Sequence, residues 1–224
     1  MRAWLRSNSL SVVFLVLFAG ALVGQSFAGQ ALYNEEQLQH GGETISWTRY
    51  LVTSHFGSAV LENWQSEYLQ FTLFILATVW LVQRGSNESK RPEDVGRESD
   101  AKQLVGPHAR RNSPRWAKVD GWRRRLYENS LVIVMTAIFL ASWAGQSFTA
   151  WSEYNDEQRD HGAAAVSWWG YLDRPDFWEK TLQNWQSEFL AVGTLAVFTI
   201  YLRQRGSPES KPVGAPHDQT ATSG

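Results

Sequence analysis

Two carboxylates are the residues of this chain best placed to do chemistry. Glu67 closes the string Asn63-Trp64-Gln65-Ser66-Glu67, Glu188 closes the identical string Asn184-Trp185-Gln186-Ser187-Glu188, and each is followed directly by apolar sequence. An ionisable group at or within a membrane-length apolar segment is costly, turns toward protein or water, and often marks a path for ions or protons. Asn63 and Glu67 lie four apart and so share a helical face, as do Asn184 and Glu188. Gln25 and Gln146, near the ends of the preceding apolar stretches, stand at a depth from which they can hydrogen-bond to that face. The candidate site is therefore a polar cluster of Gln25, Asn63, Gln65, Ser66 and Glu67, duplicated as Gln146, Asn184, Gln186, Ser187 and Glu188. It would hold a proton, a cation or a small polar ligand, or it would join helices through interhelical hydrogen bonds worth about 0.6 to 2 kcal/mol each.

A second pattern is Tyr33-Asn34-Glu35-Glu36-Gln37 with His40-Gly41, matched by Tyr154-Asn155-Asp156-Glu157-Gln158 with His161-Gly162. Glu36 and His40, like Glu157 and His161, are spaced to offer two metal ligands from one helical turn. A helix stop explains the same residues, with a histidine at the negative helix end and a glycine just beyond it. No Cys or His-rich cluster completes a coordination set, so neither metal nor cofactor is expected. Phosphate-binding loops, nucleophile elbows, HExxH motifs and dinucleotide fingerprints are missing from the sequence, and the chain is expected not to be an enzyme.

The elements that position these residues come in pairs. Residues 5–90 return at 126–211 without a gap, with about two-fifths of the aligned positions identical, so the chain reads as a tandem duplication. Each copy carries two apolar stretches, Leu10 to Val23 and Tyr68 to Val82, then Leu131 to Ala150 and Phe189 to Leu202. With their flanks they approach the roughly 20 residues that cross a bilayer as a helix. The fold expected is all-α and membrane-integral, with four transmembrane helices arranged as two same-topology repeats about a pseudo-two-fold axis. The boundaries expected are repeat 1 over 1–90 with spans near 9–31 and 61–83, and repeat 2 over 122–206 with spans near 130–152 and 182–204. Both helices of each repeat should extend beyond the outer face, the second starting near Ser54 or Pro175. Between them, Ser46-Trp47, Tyr50 and Phe56 reappear as Ser167-Trp168, Tyr171 and Phe177, a short interfacial element. Gly20, Gly24 and Ala28, matched by Ala141, Gly145 and Thr149, form a small-residue face for close helix packing.

Charge sets the orientation. Between Arg84 and Arg125 there are twelve Lys or Arg and six Asp or Glu; between Leu32 and Glu67 there are one and five, and between Glu153 and Glu188 three and eight. Basic residues accumulate in cytoplasmic loops. The linker and both termini are thus expected inside and the inter-helix loops outside. The overall net charge of -1 and mean hydropathy of -0.33 conceal this segregation. A cleaved leader would also fit Arg2, Arg6 and the first apolar stretch, but the equivalent stretch lies in mid-chain, and retention as a span is expected. The 91–121 linker and the 207–224 tail, rich in Ser, Pro and Gly, read as disordered. The linker's basic residues lack any base-reading pattern, so no nucleic acid is expected. The absence of cysteine excludes disulfides.

The duplicated two-helix unit and the Asn-Trp-Gln-Ser-Glu-(Tyr/Phe)-Leu signature at Asn63 to Leu69 and Asn184 to Leu190 resemble a family of small bacterial integral membrane proteins of unknown function. The resemblance implies an intact helical membrane protein and brings no activity with it. The function expected is a non-enzymatic, structural or accessory protein of the bacterial inner membrane. It would contact the lipid bilayer and a second copy or a membrane-protein partner. The alternative is a small ion- or proton-coupled transporter or channel using Glu67 and Glu188.

Overall fold

The structure, a computed structural model, describes residues 2–221; Met1, the side chain of Arg2 and the last three residues of the tail lie outside the described residues. Those residues form eight α-helices and no strand: α1 (Arg2–Ser7), α2 (Ser9–Gln39), α3 (Trp47–Tyr50), α4 (Ser54–Trp80), α5 (Trp122–Glu128), α6 (Ser130–Asp160), α7 (Trp168–Leu172) and α8 (Pro175–Tyr201). Two of them, α2 and α6, are long and apolar enough to cross a membrane. At 31 residues each, they run about 46 Å at 1.5 Å per residue. The starts of α4 and α8, Ser54 and Pro175, are those expected from the sequence. Linker residues 91–121 carry 3-10 turns at Pro92–Asp94, Gly106–His108 and Arg115–Lys118. Ion pairs tie this stretch together, including Lys102 with Asp94 at 2.8 Å and Lys90 with Glu98 at 3.5 Å.

The chain divides into two compact units, Met1–Leu61 with Gly145–Phe177, and Glu62–Ala144 with Trp178–Gly224. The core of the first unit lies around the α3 and α7 loops. Helix α2 ends at Gln39 with His40 as its C-cap, and Gly41 follows at a φ of 76° that favours glycine. The chain then returns to α2, because Asn34 bonds both backbone groups of Ile45: its Oδ1 accepts from the amide at 2.8 Å and its Nδ2 donates to the carbonyl at 3.1 Å. Asn155 does the same to Val166, at 2.8 and 3.0 Å. One residue later a serine caps each short helix, Ser46 accepting from the Arg49 amide and Ser167 from the Gly170 amide. The tryptophan after each cap then packs on its own long helix. Trp47 donates to Ser26 Oγ at 2.9 Å and stacks on Phe27, and Trp168 donates to Ser147 Oγ at 3.2 Å and stacks on Phe148. This gives the Gly-Gln-Ser-Phe strings a physical role: their serine and phenylalanine receive the loop.

Small residues on the long helices behave differently in the two halves. No atom approaches within 4 Å of a Cβ built on Gly20 or Gly24, whereas one on Gly145 would meet Leu61 at 2.9 Å. At Gly29 a Cβ would overlap the hydroxyl of Tyr50, a fully buried ring. Gly29→Ala is therefore expected to lower stability by about 1–3 kcal/mol through overpacking, with Gly24→Ala within about 0.5 kcal/mol of wild type. Thermal unfolding of the two variants in the same detergent checks the contrast, and equal melting temperatures would contradict the Gly29 contact.

Candidate functional site

The residues singled out from the sequence fall in both units. In the first unit, Gln25 is exposed, while the side chain of Gln146 is wholly buried with neither amide atom hydrogen-bonded. In the second unit the two five-residue strings are used unequally. On α4 the buried face runs through Gln65, Ser66, Leu69 and Thr72, the i, i+1, i+4, i+7 spacing of a helix face turned inward. Asn63 and Glu67, paired by the spacing argument, are exposed. On α8 the pattern differs: Gln186 and Ser187 are exposed, and Asn184 and Glu188 are half-buried.

Hydrogen bonds join α4 to α8 within this unit. Trp185 Nε1 donates to Gln65 Oε1 at 2.7 Å, linking one string directly to the other, and Asn184 Nδ2 donates to Glu62 Oε1 at 2.7 Å. Gln65 Nε2 is buried without a partner. The serines close locally, Ser66 onto the Asn63 carbonyl and Ser187 onto the Asn184 carbonyl. Glu67 and Glu188 interact through their charges. Aromatic rings pack around Trp185, with Trp143 and Phe139 at centroid distances of 5.7 and 6.3 Å. A groove lined by Trp80, Lys90, Arg97, Glu98, Arg124 and Asn129 opens against the linker, and none of the ten candidate residues lines it.

The first unit holds a second polar assembly. The Tyr50 hydroxyl lies 3.0 Å from His55 Nδ1, and His55 Nε2 lies 3.9 Å from Glu153 Oε1. At the equivalent place Tyr171 donates to Asp176 at 2.8 Å. Burial holds the Tyr50 phenol above its ordinary range, and the negative charges of Glu153 and Glu36 add to the shift.

The sequence reading missed a structured turn after each of α4 and α8. Gln83-Arg84-Gly85-Ser86 continues through Glu88-Ser89-Lys90, and Gln204-Arg205-Gly206-Ser207 through Glu209-Ser210-Lys211. In both, the serine before the lysine accepts from the glutamine amide at 2.9 Å, and the first serine accepts from the glutamate amide. The turns meet each other where Asn87 Nδ2 donates to the Pro208 carbonyl at 3.0 Å. Lys211 is fully buried, and its ammonium donates to the carbonyls of Gly85, Pro216, His217 and Gln219 at 2.7–3.2 Å. Burial lowers its pKa and nearby Arg203 adds to this, with Asp218 acting in the opposite direction. The signal for these turns was available, since the seven residues named in each are identical between the copies.

Together these features define an all-helical protein with two helices of membrane-spanning length and character, and with polar residues concentrated at helix ends and helix contacts. The chain belongs to the family described as Domain of unknown function (DUF6766), which it matches over residues 1–222. No curated protein and no solved structure matches it.

Glu88 gives the site a pH signature. Burial raises its pKa above the ordinary 4.5, the charge of Glu209 and a hydrogen bond to it add to the shift, and Asn87 opposes it. With the folded value above the unfolded one, this group's contribution is fully present below about 4.5 and is lost as pH rises through the folded value. Glu88→Gln is expected to match wild type near pH 4 and to be more stable at pH 7, by up to about 1 kcal/mol at this partly solvated site. Denaturant unfolding at the two pH values checks it, and a variant less stable at pH 7 contradicts the assignment.

Proposed function

We propose that the protein is a non-enzymatic, multi-pass protein of the bacterial inner membrane, built from two parallel two-helix repeats, and that its role is structural or accessory. In this reading α2, α4, α6 and α8 are the four spans, with both termini and the linker in the cytoplasm. The observation that carries the structural role is the Trp185 to Gln65 hydrogen bond, in which the longest unbroken string shared by the two copies holds α4 to α8. The exposed leucines, valines and phenylalanines of α2 support its placement against lipid or a partner helix, since Leu10, Phe14, Leu15, Val16 and Leu17 are all 60% or more exposed. The recurrence of the loop hydrogen bonds 121 residues apart supports the duplicated unit. The acidic loops and basic linker support the orientation. A homo-oligomer or a membrane-protein partner is the setting this role calls for.

The charge interaction of Glu67 with Glu188 favours a second reading, an ion- or proton-coupled transporter or channel. A single preparation in liposomes separates the two. The structural reading expects Trp185→Phe and Gln65→Leu each to destabilise the protein by about 0.6 to 2 kcal/mol and not additively, as for an interhelical hydrogen bond in a membrane. It also expects proton and monovalent-cation flux to stay at the level of empty vesicles. Flux that disappears in Glu67→Gln with Glu188→Gln, with the protein still folded, replaces it by the transporter reading.

A further inference from the structure

The sequence offers Glu36 and His40 as a ligand pair within each copy, but the structure turns each histidine back onto its own helix and brings the two histidines together. His40 Nδ1 lies 2.9 Å from the Glu36 backbone carbonyl and His161 Nδ1 lies 2.8 Å from that of Glu157. The two imidazoles, both in the first unit, are exposed, with centroids 6.4 Å apart and ring planes inclined at 65°. We propose that His40 and His161 form a two-histidine site for a first-row transition-metal dication of the Cu2+ or Ni2+ class.

Three features carry this. An imidazole that donates its Nδ1 proton to a carbonyl is held as the tautomer with a free lone pair on Nε2, and that backbone bond is the support ligating histidines ordinarily have. Both rings have it. The spacing selects the geometry: a metal-to-nitrogen bond of about 2.0–2.1 Å plus about 1.1 Å to the ring centre puts two shared imidazoles about 5.2 Å apart at a tetrahedral angle and about 6.4 Å apart when opposed, and the 6.4 Å found here is that of opposed ligands in a tetragonal site. Finally, His40 caps α2, and His161 follows the last residue of α6, so the negative ends of two long helices converge where the cation would sit. Among the described residues no third His, Asp or Glu joins them in a metal-holding group, so water would complete the coordination, and imidazole selects copper, nickel and zinc over magnesium or calcium.

The test uses the full chain, purified without a histidine tag and held in nanodiscs, titrated with Ni2+ by calorimetry and with Cu2+ by electron paramagnetic resonance. The expected result is one ion per chain with a Kd below about 100 µM and a copper signal split by two nitrogens. His40→Gln and His161→Gln should each weaken binding by at least about tenfold, while His55→Gln, in the same unit, leaves it unchanged. Circular dichroism confirms that each variant keeps its helices. No saturable binding in the wild type, a one-nitrogen signal, or undiminished affinity in either His40→Gln or His161→Gln overturns the proposal.

Discussion

The loop beyond the end of each of α2 and α6 hangs on one asparagine of that helix, whose amide satisfies both backbone groups of a single loop residue. The chain has no cysteine, so its loops are held without covalent links, and polar groups inside a fold are costly unless paired. Asn34 and Asn155 answer both demands at once. Fixing Ile45 and Val166 places the serine cap one residue later, the cap aims the tryptophan at the long helix, and the turn that follows drives Tyr50 and Tyr171 into the core. The serine hydroxyls that receive the tryptophans, Ser26 and Ser147, are themselves buried. Without the asparagine the loop residue's amide loses the side-chain oxygen that fixes it, and the contacts that follow lose that anchor.

The two copies have kept these interactions more faithfully than the residues that make them. Gln30 donates to the Ile45 carbonyl at 2.9 Å, and its counterpart Trp151 donates to the Val166 carbonyl at 2.8 Å through an indole nitrogen. His55 and Asp176, chemically unlike, each bond the hydroxyl of the neighbouring tyrosine. The Asn-Trp-Gln-Ser-Glu strings show the reverse. Their residues are unchanged, yet Gln65 is buried and accepts from Trp185, while Gln186 is exposed. Loop geometry tolerates a change of side chain where the new one reaches the same partner. The helix contact uses complementary members of one motif, a tryptophan from one copy and a glutamine from the other, so the bond constrains Gln65 and Trp185 but not Gln186.

Most of the helical frame was legible because its signals are local. Ser46, Ser167 and Pro175 mark helix starts, and His40-Gly41 and His161-Gly162 mark stops by the chemistry of single positions. The spacing of Asn63 and Glu67 correctly placed them on one face, but a face named by sequence carries no direction, and the buried face proved to be that of Gln65 and Ser66. That choice rests on long-range packing, including Trp185 from 120 residues away. The approach of His40 to His161 is of the same kind, since spacing within one copy points to Glu36 instead. The turns around Ser89 and Ser210 escaped notice for a different reason. Glycine, serine and charge resemble an unstructured composition, and only a side-chain bond at fixed offset, from each serine back to a glutamine amide, converts them into a turn.

Those turns also change how the basic residues are to be understood. The positive-inside preference acts while a chain inserts, before any folded contact exists, so in the proposed topology Lys211 would contribute to orientation as fully as Arg205. Attraction to anionic lipid acts on the folded protein, and there the two part company. The ammonium of Lys211 is enclosed by four carbonyl oxygens, and that of Lys90 is directed to the Gly96 carbonyl and Glu98, whereas Arg84 and Arg205 are exposed. In the proposed orientation Lys90 and Lys211 therefore serve the inserting chain and then become fasteners of the turns, while Arg84 and Arg205 keep their charge at the surface.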